Sequence, residues 1–421
     1  MYEQDKWTII QAFTKADEER YVKIPLSFSK ECWQVELHMT APDNCVIDLG
    51  LEEQSGKLIG WSGSEHKSIR ISELLATPAY LKCSPKQASW NLILGLYKLN
   101  EDTKIEITVV EYLDKRRWLV GESHSHSVHS DGNLTVSEVK AVAKSAGLDY
   151  LFMTDHNTVS AWPEVDLYSD EALTMLKGME LTWYGGHSNV YGLDEPLNHY
   201  IKDKEDVKRV FEGVKAKGGF ISINHPFLPT VGWTYGFDDL PFDMIEIWNG
   251  PWHEANQKAL EYWHQLLVSG RKILMTGGSD THRPELFRSF GYPALAVLAD
   301  NPTGPAIVEA MVKGRSNVLM MPKYPLINLD ISGYGLGEVV PVTSKADYIQ
   351  IHAERLNPDT DVLELYTEQG LWQTVEVKGI TMTEAFSLNQ RPRFIYALLK
   401  RSLPMLGSLP GTITNPIFLA D

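Results

Sequence analysis

The chain has 421 residues, about two to three times a usual domain length, so two or three domains are expected rather than one core. With 43% hydrophobic and 22% charged residues the composition is that of a globular protein, and no apolar run approaches the roughly 20 residues that span a bilayer. The formal net charge of −16 repels a phosphate polymer at long range, so neither sequence-independent binding to nucleic acid nor a membrane partner is expected.

Part of that negative surplus has another use, because carboxylates that hold divalent cations count as bare charge in a sequence tally. The opening Met1-Tyr2-Glu3-Gln4-Asp5-Lys6 carries acids and leads into no long apolar segment, which argues against a secretory signal. Three dispersed cysteines, Cys32, Cys45 and Cys83, form no CxxC pair. A reducing cytoplasm is the expected location.

Residues 1–115 alternate short apolar and polar runs, such as Trp33-Gln34-Val35-Glu36-Leu37 and Lys104 to Val110, separated by Pro, Gly, Asn or Ser. This pattern predicts a β-sandwich domain. From about residue 116 to 322 helix-length periodic segments alternate with short strands, which predicts βα units on a mostly parallel sheet. The clearest unit begins at Thr135-x-x-Glu138, a capping box, with Val139, Val142, Ala143 and Ala146 on one helical face. Gly147 ends that helix, Tyr150 to Met153 follows as a strand, and Thr154-Asp155-His156 leaves it.

The same grammar recurs downstream. A helix over 206–217 precedes the strand Phe220 to Ile223 and then Asn224-His225-Pro226. A helix over 254–268 precedes Lys272 to Met275 and then Gly277-Gly278-Ser279-Asp280-Thr281-His282. A further unit, the helix 306–313 and the strand 317–320, supplies no ligand. In a (β/α) barrel the loops after the strand ends converge on one rim, so these residues are placed to meet. Beyond 322 the text turns β-like again, at 326–331 and 348–352, and residues 323–421 are expected to form a small C-terminal β-domain.

The strongest local signal is Gly121-Glu122-Ser123-His124-Ser125-His126-Ser127-Val128-His129-Ser130-Asp131-Gly132. Alternate residues of a strand point the same way, so His124 and His126 approach one cation together, with imidazoles suited to zinc, manganese or iron. Asp131 adds a hard oxygen after a short loop. An isolated His-x-His is often surface text, but His156, His187, His225 and His282 fall in the same predicted barrel, mostly where a strand gives way to a loop. His129 and His199 are nearby spares whose roles this pattern leaves open.

These motifs, in order, are His124-x-His126 with Ser130-Asp131-Gly132, Thr154-Asp155-His156-Asn157, Gly178-Met179-Glu180, Gly186-His187, His225-Pro226 and Ser279-Asp280-Thr281-His282. Together they resemble the PHP, or polymerase and histidinol phosphatase, superfamily of metallohydrolases, in its carbaryl-hydrolase-like branch. The resemblance runs from about Gly121 to His282 and implies an α/β fold with a distorted (β/α)7 barrel. It implies that His124, His126, Glu180 and Asp280 hold one metal, Glu180, His187 and His225 a second, and Asp131, His156 and His282 a third, with His199 the alternative at the position of His187. Ser123, Glu122 and Ser127 depart from the family's usual residues and bear on how ligands are oriented rather than on ligand number.

Two or three divalent ions (Zn, Mn or Fe) are therefore the expected cofactors, with Glu180, Asp280 and His282 the expected catalytic residues. The expected activity is that of a phosphoesterase, preferably a phosphodiesterase, using metal-bound hydroxide on a small anionic ester. Arg283, Asn157 and Asn249 are the expected substrate contacts. The tryptophans and tyrosine Trp233, Tyr235, Trp248 and Trp252 are read first as packing. The alternatives are hydrolysis of an amide, carbamate or carboxylic ester, and a non-catalytic module that binds a glycan or protein.

Overall fold

The computed structural model describes residues 3–286 and 288–420. The chain divides into two compact units, Met1–Arg116 and Arg117–Asp421. No helix among the described residues is long and apolar enough to cross a membrane.

The first unit is built from β1 (Glu3–Thr14), β2 (Arg20–Ser27), β3 (Cys32–Thr40), β4 (Val46–Glu53), β5 (Leu58–Gly63), β6 (Ser68–Ser72), β7 (Ser89–Lys98) and β8 (Asp102–Leu113). They form two four-stranded antiparallel sheets, ordered β1-β8-β3-β6 and β2-β7-β4-β5. Alternation decides which face is buried: on β8, Thr103, Ile105, Ile107 and Val109 point inward while Asp102 and Lys104 face solvent. Both sheets contribute to one core, with Val35 and Leu37 from one and Leu92 and Leu94 from the other. The three cysteines are free thiols here. Burial pushes the Cys83 thiol up to about 11, so it stays protonated at neutral pH.

The second unit begins with β9 (Arg117–Glu122), α1 (Val136–Ser145), β10 (Tyr150–Met153), α2 (Trp162–Tyr168), β11 (Thr174–Trp183) and β12 (Gly186–Tyr191). It continues through α3 (Lys204–Ala216), β13 (Phe220–Ile223), β14 (Met244–Asn249), α4 (Glu254–Val268), β15 (Leu274–Gly278), β16 (Ala294–Ala299), α5 (Gly304–Val312) and β17 (Ser316–Leu319). The capping box that starts α1 is formed, with the Thr135 hydroxyl accepting from the Glu138 N–H and the Glu138 carboxylate accepting from the Thr135 N–H.

The strands share one sheet in the order β15-β14-β13-β12-β11-β10-β9-β16-β17, and β15 comes back against β16. The mostly parallel sheet expected from the βα grammar is instead mixed. Parallel pairs β9–β10–β11 and β13–β14–β15 are joined through the antiparallel hairpin β11–β12, and β16 runs antiparallel to β9. The cause is local: only Tyr184 and Gly185 separate β11 from β12, too short a link for a crossover helix. α4 covers β14 through Ala259, Leu260, Trp263, Leu266 and Leu267, a run at helical spacing. Trp263 is fully buried and its indole N–H donates to the Ile273 carbonyl at 2.8 Å. Burying a ring of that size contributes on the order of 5 kcal/mol.

Beyond β17 come β18 (Leu326–Asp330), β19 (Val339–Val340), β20 (Tyr348–Glu354), β21 (Asp361–Thr367), β22 (Gly370–Glu376), β23 (Thr381–Ser387), β24 (Phe394–Leu403), β25 (Gly407–Thr414) and β26 (Ile417–Leu419). Residues 323–421, expected to stand apart as a domain, belong to the second unit. β25 pairs with β17, and β24, β21 and β22 follow it, so the large sheet runs on into these residues without a break. The Asn415 side chain seals the join: its Oδ1 accepts from the Met275 N–H at 2.9 Å and its Nδ2 donates to the Ser316 Oγ at 2.8 Å.

Candidate metal centre

Most side chains of the site leave a strand end or the turn just after it, while Glu180 stands within β11. His124 and His126 follow β9. Ser125 forms a bridge with Thr281 after β15, and the Thr154 N–H donates to the Ser125 carbonyl, which fixes the His-x-His segment between two neighbours. Asp155 holds the next loop, accepting from the Ser127 N–H and hydroxyl at 2.8 Å each and from the Ser130 hydroxyl at 2.7 Å. That loop delivers Asp131. His156 forms a bridge opposite Glu180 of β11, and Thr182 of the same strand pairs with His187 of β12.

Three residues here have non-glycine backbones in the left-handed region: Asn157 (φ 52°), His225 (φ 27°) and Asp280 (φ 52°). Each such conformation costs on the order of 1 kcal/mol or more and needs its surroundings to hold it. In every case the residue's own N–H is tied to the site: Asn157 to the Glu180 carbonyl, Asp280 to the His124 carbonyl and His225 to the Glu246 carboxylate, all at 2.9 Å.

Glu180 lies at the centre, fully buried. Its Oε1 is 3.2 Å from His124 Nε2, 3.3 Å from His187 Nδ1 and 3.4 Å from His225 Nε2; its Oε2 is 2.9 Å from His156 Nδ1 and 3.4 Å from His126 Nε2. Asp280 Oδ1 lies 3.1 Å from His126 Nε2 and 3.4 Å from His124 Nε2. Asp131 Oδ1 lies 3.1 Å from His282 Nε2 and 3.5 Å from His156 Nε2. Among the described residues, three groups are compact enough to surround an ion: His124, His126, Glu180 and Asp280; His156, Glu180 and His187; and His126, Asp131, His156 and His282. His225 stands beside Glu180 but in none of the three, although its ring is 5.0 Å from that of His187.

These groups fit metal ions, and the sign is in what they fail to do with each other. His124 Nε2, His126 Nε2, Glu180 Oε2, His187 Nδ1 and Asp280 Oδ1 are buried and close, yet make no hydrogen bond. Buried polar atoms left unsatisfied are costly, so such a convergence of donors toward common points calls for a cation. The nitrogen and oxygen donor set suits zinc, manganese or iron.

The electrostatics agree. Burial alone would push Glu180 up, but the imidazoles of His124, His156 and His187 hold it well below the usual carboxylate range. Asp280 is depressed in the same way, with burial overcome by His124 and His126. Burial pulls His124 down, and the charges of Glu180, Asp280 and Glu246 more than reverse it. For His126 burial wins and its affinity for a proton falls.

Other expected residues lie elsewhere. Asn157 uses its amide on β11, accepting from the Thr182 N–H at 3.0 Å and donating to the Thr182 carbonyl at 2.9 Å, so it is not free for a substrate. Asn249 turns its amide inward, to Glu246 at 3.1 Å and Asp280 at 3.4 Å. Arg283 is 71% exposed and pairs with Glu285 at 3.4 Å. His129 is tied to Ser160 and Glu164, and His199 lies over Tyr200. Trp233 and Trp248 are buried in the core.

Asn224 and Glu246 were given no role in the sequence reading, whereas Glu122 was read there as bearing on ligand orientation. Asn224 donates to Glu180 Oε1 at 2.8 Å; its position directly before His225 was the available cue. Glu122 is buried, accepts from the N–H groups of His124, Ser279 and Gly291 at 2.9, 3.0 and 2.8 Å, and is pushed up by burial to about 7. Glu246 lies mid-strand in an otherwise apolar run, where a lone acid is itself a signal.

No protein-family model and no curated protein matches the chain. Among solved structures, it is similar to a two-domain protein of Bacteroides vulgatus named for a PHP-like metal-dependent phosphoesterase, at 18% identity over 71% of this chain and 95% of that one, TM-score 0.40. A protein of Bifidobacterium adolescentis named as a metal-dependent phosphoesterase aligns at 16% identity over 45% of this chain and 94% of that one, TM-score 0.34. An amidohydrolase of Chromobacterium violaceum aligns at 15% identity over 40% of this chain and 89% of that one, TM-score 0.28.

Proposed function

We propose that the chain is a metal-dependent hydrolase of the PHP type, acting on phosphoesters with a preference for diesters, on a site carried by a distorted (β/α) barrel formed by β9 to β16. The single observation that carries this is the convergence of five imidazoles on the buried Glu180, with Asp280 beside two of them and several donor atoms left unsatisfied. The motif order from His124 to His282 supports the same assignment, and so does the return of β15 against β16.

Bound divalent cations would supply Lewis acidity, water activation at neutral pH and charge neutralisation at the attacked centre. The chain's own residues do the rest. Glu180, which belongs to two of the compact donor groups, would serve both ion positions. Asn224 orients it by donating to Oε1. His282, with Nε2 facing Asp131 at 3.1 Å and its side chain 27% exposed, stands at the open edge of the cluster, where it can hold or pass a proton to a leaving oxygen.

An anionic substrate needs a cation outside the metal ligands, and Arg288 is better placed than Arg283. A Cβ on Gly250 would fall 2.8 Å from an Arg288 guanidinium nitrogen, and Gly250 directly follows Asn249, which touches Asp280. Arg288 joins none of the ion pairs among the described residues, whereas Arg283 is engaged by Glu285. A guanidinium so placed suits two parallel bonds to a phosphoryl group.

The deciding experiment assays protein loaded with Zn²⁺ or Mn²⁺ side by side on a nitrophenyl phosphodiester, a phosphomonoester and an aryl carbamate. Fastest turnover of the diester is expected. Carbamate turnover alone would move the assignment to amide-type hydrolysis, and no turnover of any ester by metal-loaded protein would refute it.

A further inference from the structure

Glu246 of β14 is 2% exposed and stands in none of the groups that surround an ion position. Its two oxygens face two parts of the cluster. Oε1 lies 2.9 Å from His124 Nδ1. Oε2 accepts from the backbone N–H of His225 at 2.9 Å and from Asn249 Nδ2 at 3.1 Å, and the same Asn249 amide continues to Asp280 Oδ2 at 3.4 Å. One buried carboxylate thus touches a strand end, a left-handed turn and, through Asn249, a second ligand.

Resting on the metallohydrolase assignment, we propose that Glu246 is a positioning residue: it fixes the His124 proton on Nδ1, which turns the Nε2 lone pair toward Glu180 and Asp280, and it clamps the His225 turn. An ionised carboxylate only accepts hydrogen bonds, and Oε2 already takes two unambiguous donors, so the contact at Oε1 is a donation from His124 Nδ1–H. Neutral imidazole carries one proton, and placing it on Nδ1 leaves Nε2 free to bind an ion. Because Oε1 serves His124 and Oε2 serves the His225 turn and Asn249, the ion positions on either side of Glu180 share one support.

Glutamine at this position has one acceptor oxygen and one donor amide. With the oxygen retained by the two donors on the Oε2 side, the amide must face His124 and donate to Nδ1, which drives the imidazole proton to Nε2 and removes the lone pair that faces the cluster. Glu246→Gln is therefore a near-isosteric change that inverts the His124 tautomer.

The test uses the full chain labelled with [¹⁵N]histidine and stripped of metal, followed up a pH series to the plateau at which the His124 ring carries a single proton. Two-bond ¹⁵N–¹H correlation spectra, with the His124 signals assigned by their loss in His124→Gln, are expected to show a proton on Nδ1 in the unsubstituted protein and on Nε2 in Glu246→Gln. Chelator-competition titration with Zn²⁺ and Mn²⁺ is expected to show affinity falling about 10- to 100-fold in Glu246→Gln, at both ion positions and not at one. A His124 carrying its proton only on Nε2 in the unsubstituted protein overturns the proposal even if Glu246→Gln fails to fold, as does unchanged metal affinity in a folded variant. Unsubstituted protein that binds no metal refutes the hydrolase assignment instead, and the tautomer measurement still decides the role of Glu246.

Discussion

Gly278, the last residue of β15, lies directly against the start of the His-x-His segment. A Cβ built there would fall 2.4 Å from the His124 Cβ and 3.0 Å from both the His124 N and the Glu122 Oε1. Ordinary contact begins at 3.4 Å, so either β15 or His124 must retreat by about 1 Å. Neither is free to do so: the Ser279 N–H is bonded to Glu122, the Asp280 N–H to the His124 carbonyl, and both are buried against the core. Gly278→Ala is therefore expected to cost about 1–3 kcal/mol of stability. A displacement of that size at a ligand is also expected to lower turnover by about a hundredfold. The control is Gly213→Ala. Gly213 lies inside α3, with nothing within 4 Å of its Cβ position, and alanine there is expected to stabilise the helix by about 0.5–1 kcal/mol. Thermal unfolding and bound-metal analysis of the two variants check both. If Gly278→Ala retains its full metal content and melts with the unsubstituted protein, His124 is not wedged against β15 as described.

Glu180→Gln is expected to lower bound metal and to reduce hydrolysis by more than about a hundredfold, since even outer partners of ligands reach that figure; metal analysis with steady-state kinetics checks it. Arg288→Ala is expected to raise KM for an anionic diester about tenfold while Arg283→Ala leaves it unchanged, and equal effects would remove the distinction between them. Dialysis against a chelator is expected to lower the melting temperature, with recovery on adding Zn²⁺ or Mn²⁺, because ions that bind only the folded chain stabilise it by mass action. Trp263→Ala is expected to cost about 3–5 kcal/mol, measured by denaturant unfolding.

The local texts of strands and helices were legible because they carry their own periodicity. α4 begins and ends where its apolar spacing placed it, and β10 and β13 fall on the expected residues. The hairpin β11–β12 was not legible: both strands are buried, so no alternation marks them, and their pairing is a non-local fact. The donor types of the cluster were visible in His-x-His and in the residues after strand ends, since any cation site needs such donors wherever the strands lead. Which donors the fold brings together was not readable. His156 joins Glu180 and His187 because a bridge sets it opposite Glu180, a register that spacing along the chain does not specify. Asn157 and Asn249 look like substrate contacts by neighbourhood; the Asn157 amide is bonded to the Thr182 backbone, and the Asn249 Nδ2 is shared by Glu246 and Asp280, partners that spacing along the chain does not reveal.

The pairing of β25 with β17, sealed by Asn415, bears on how this chemistry can be inherited or engineered. A fragment cut after residue 322 would leave the β17 edge bare, and Met275, three residues before Gly278, would lose its amide partner. Bare edges of that kind invite pairing between molecules. The region from 117 to 322 is therefore no portable cassette: swapping or trimming the last hundred or so residues would disturb β15, the strand that leads to Asp280 and His282.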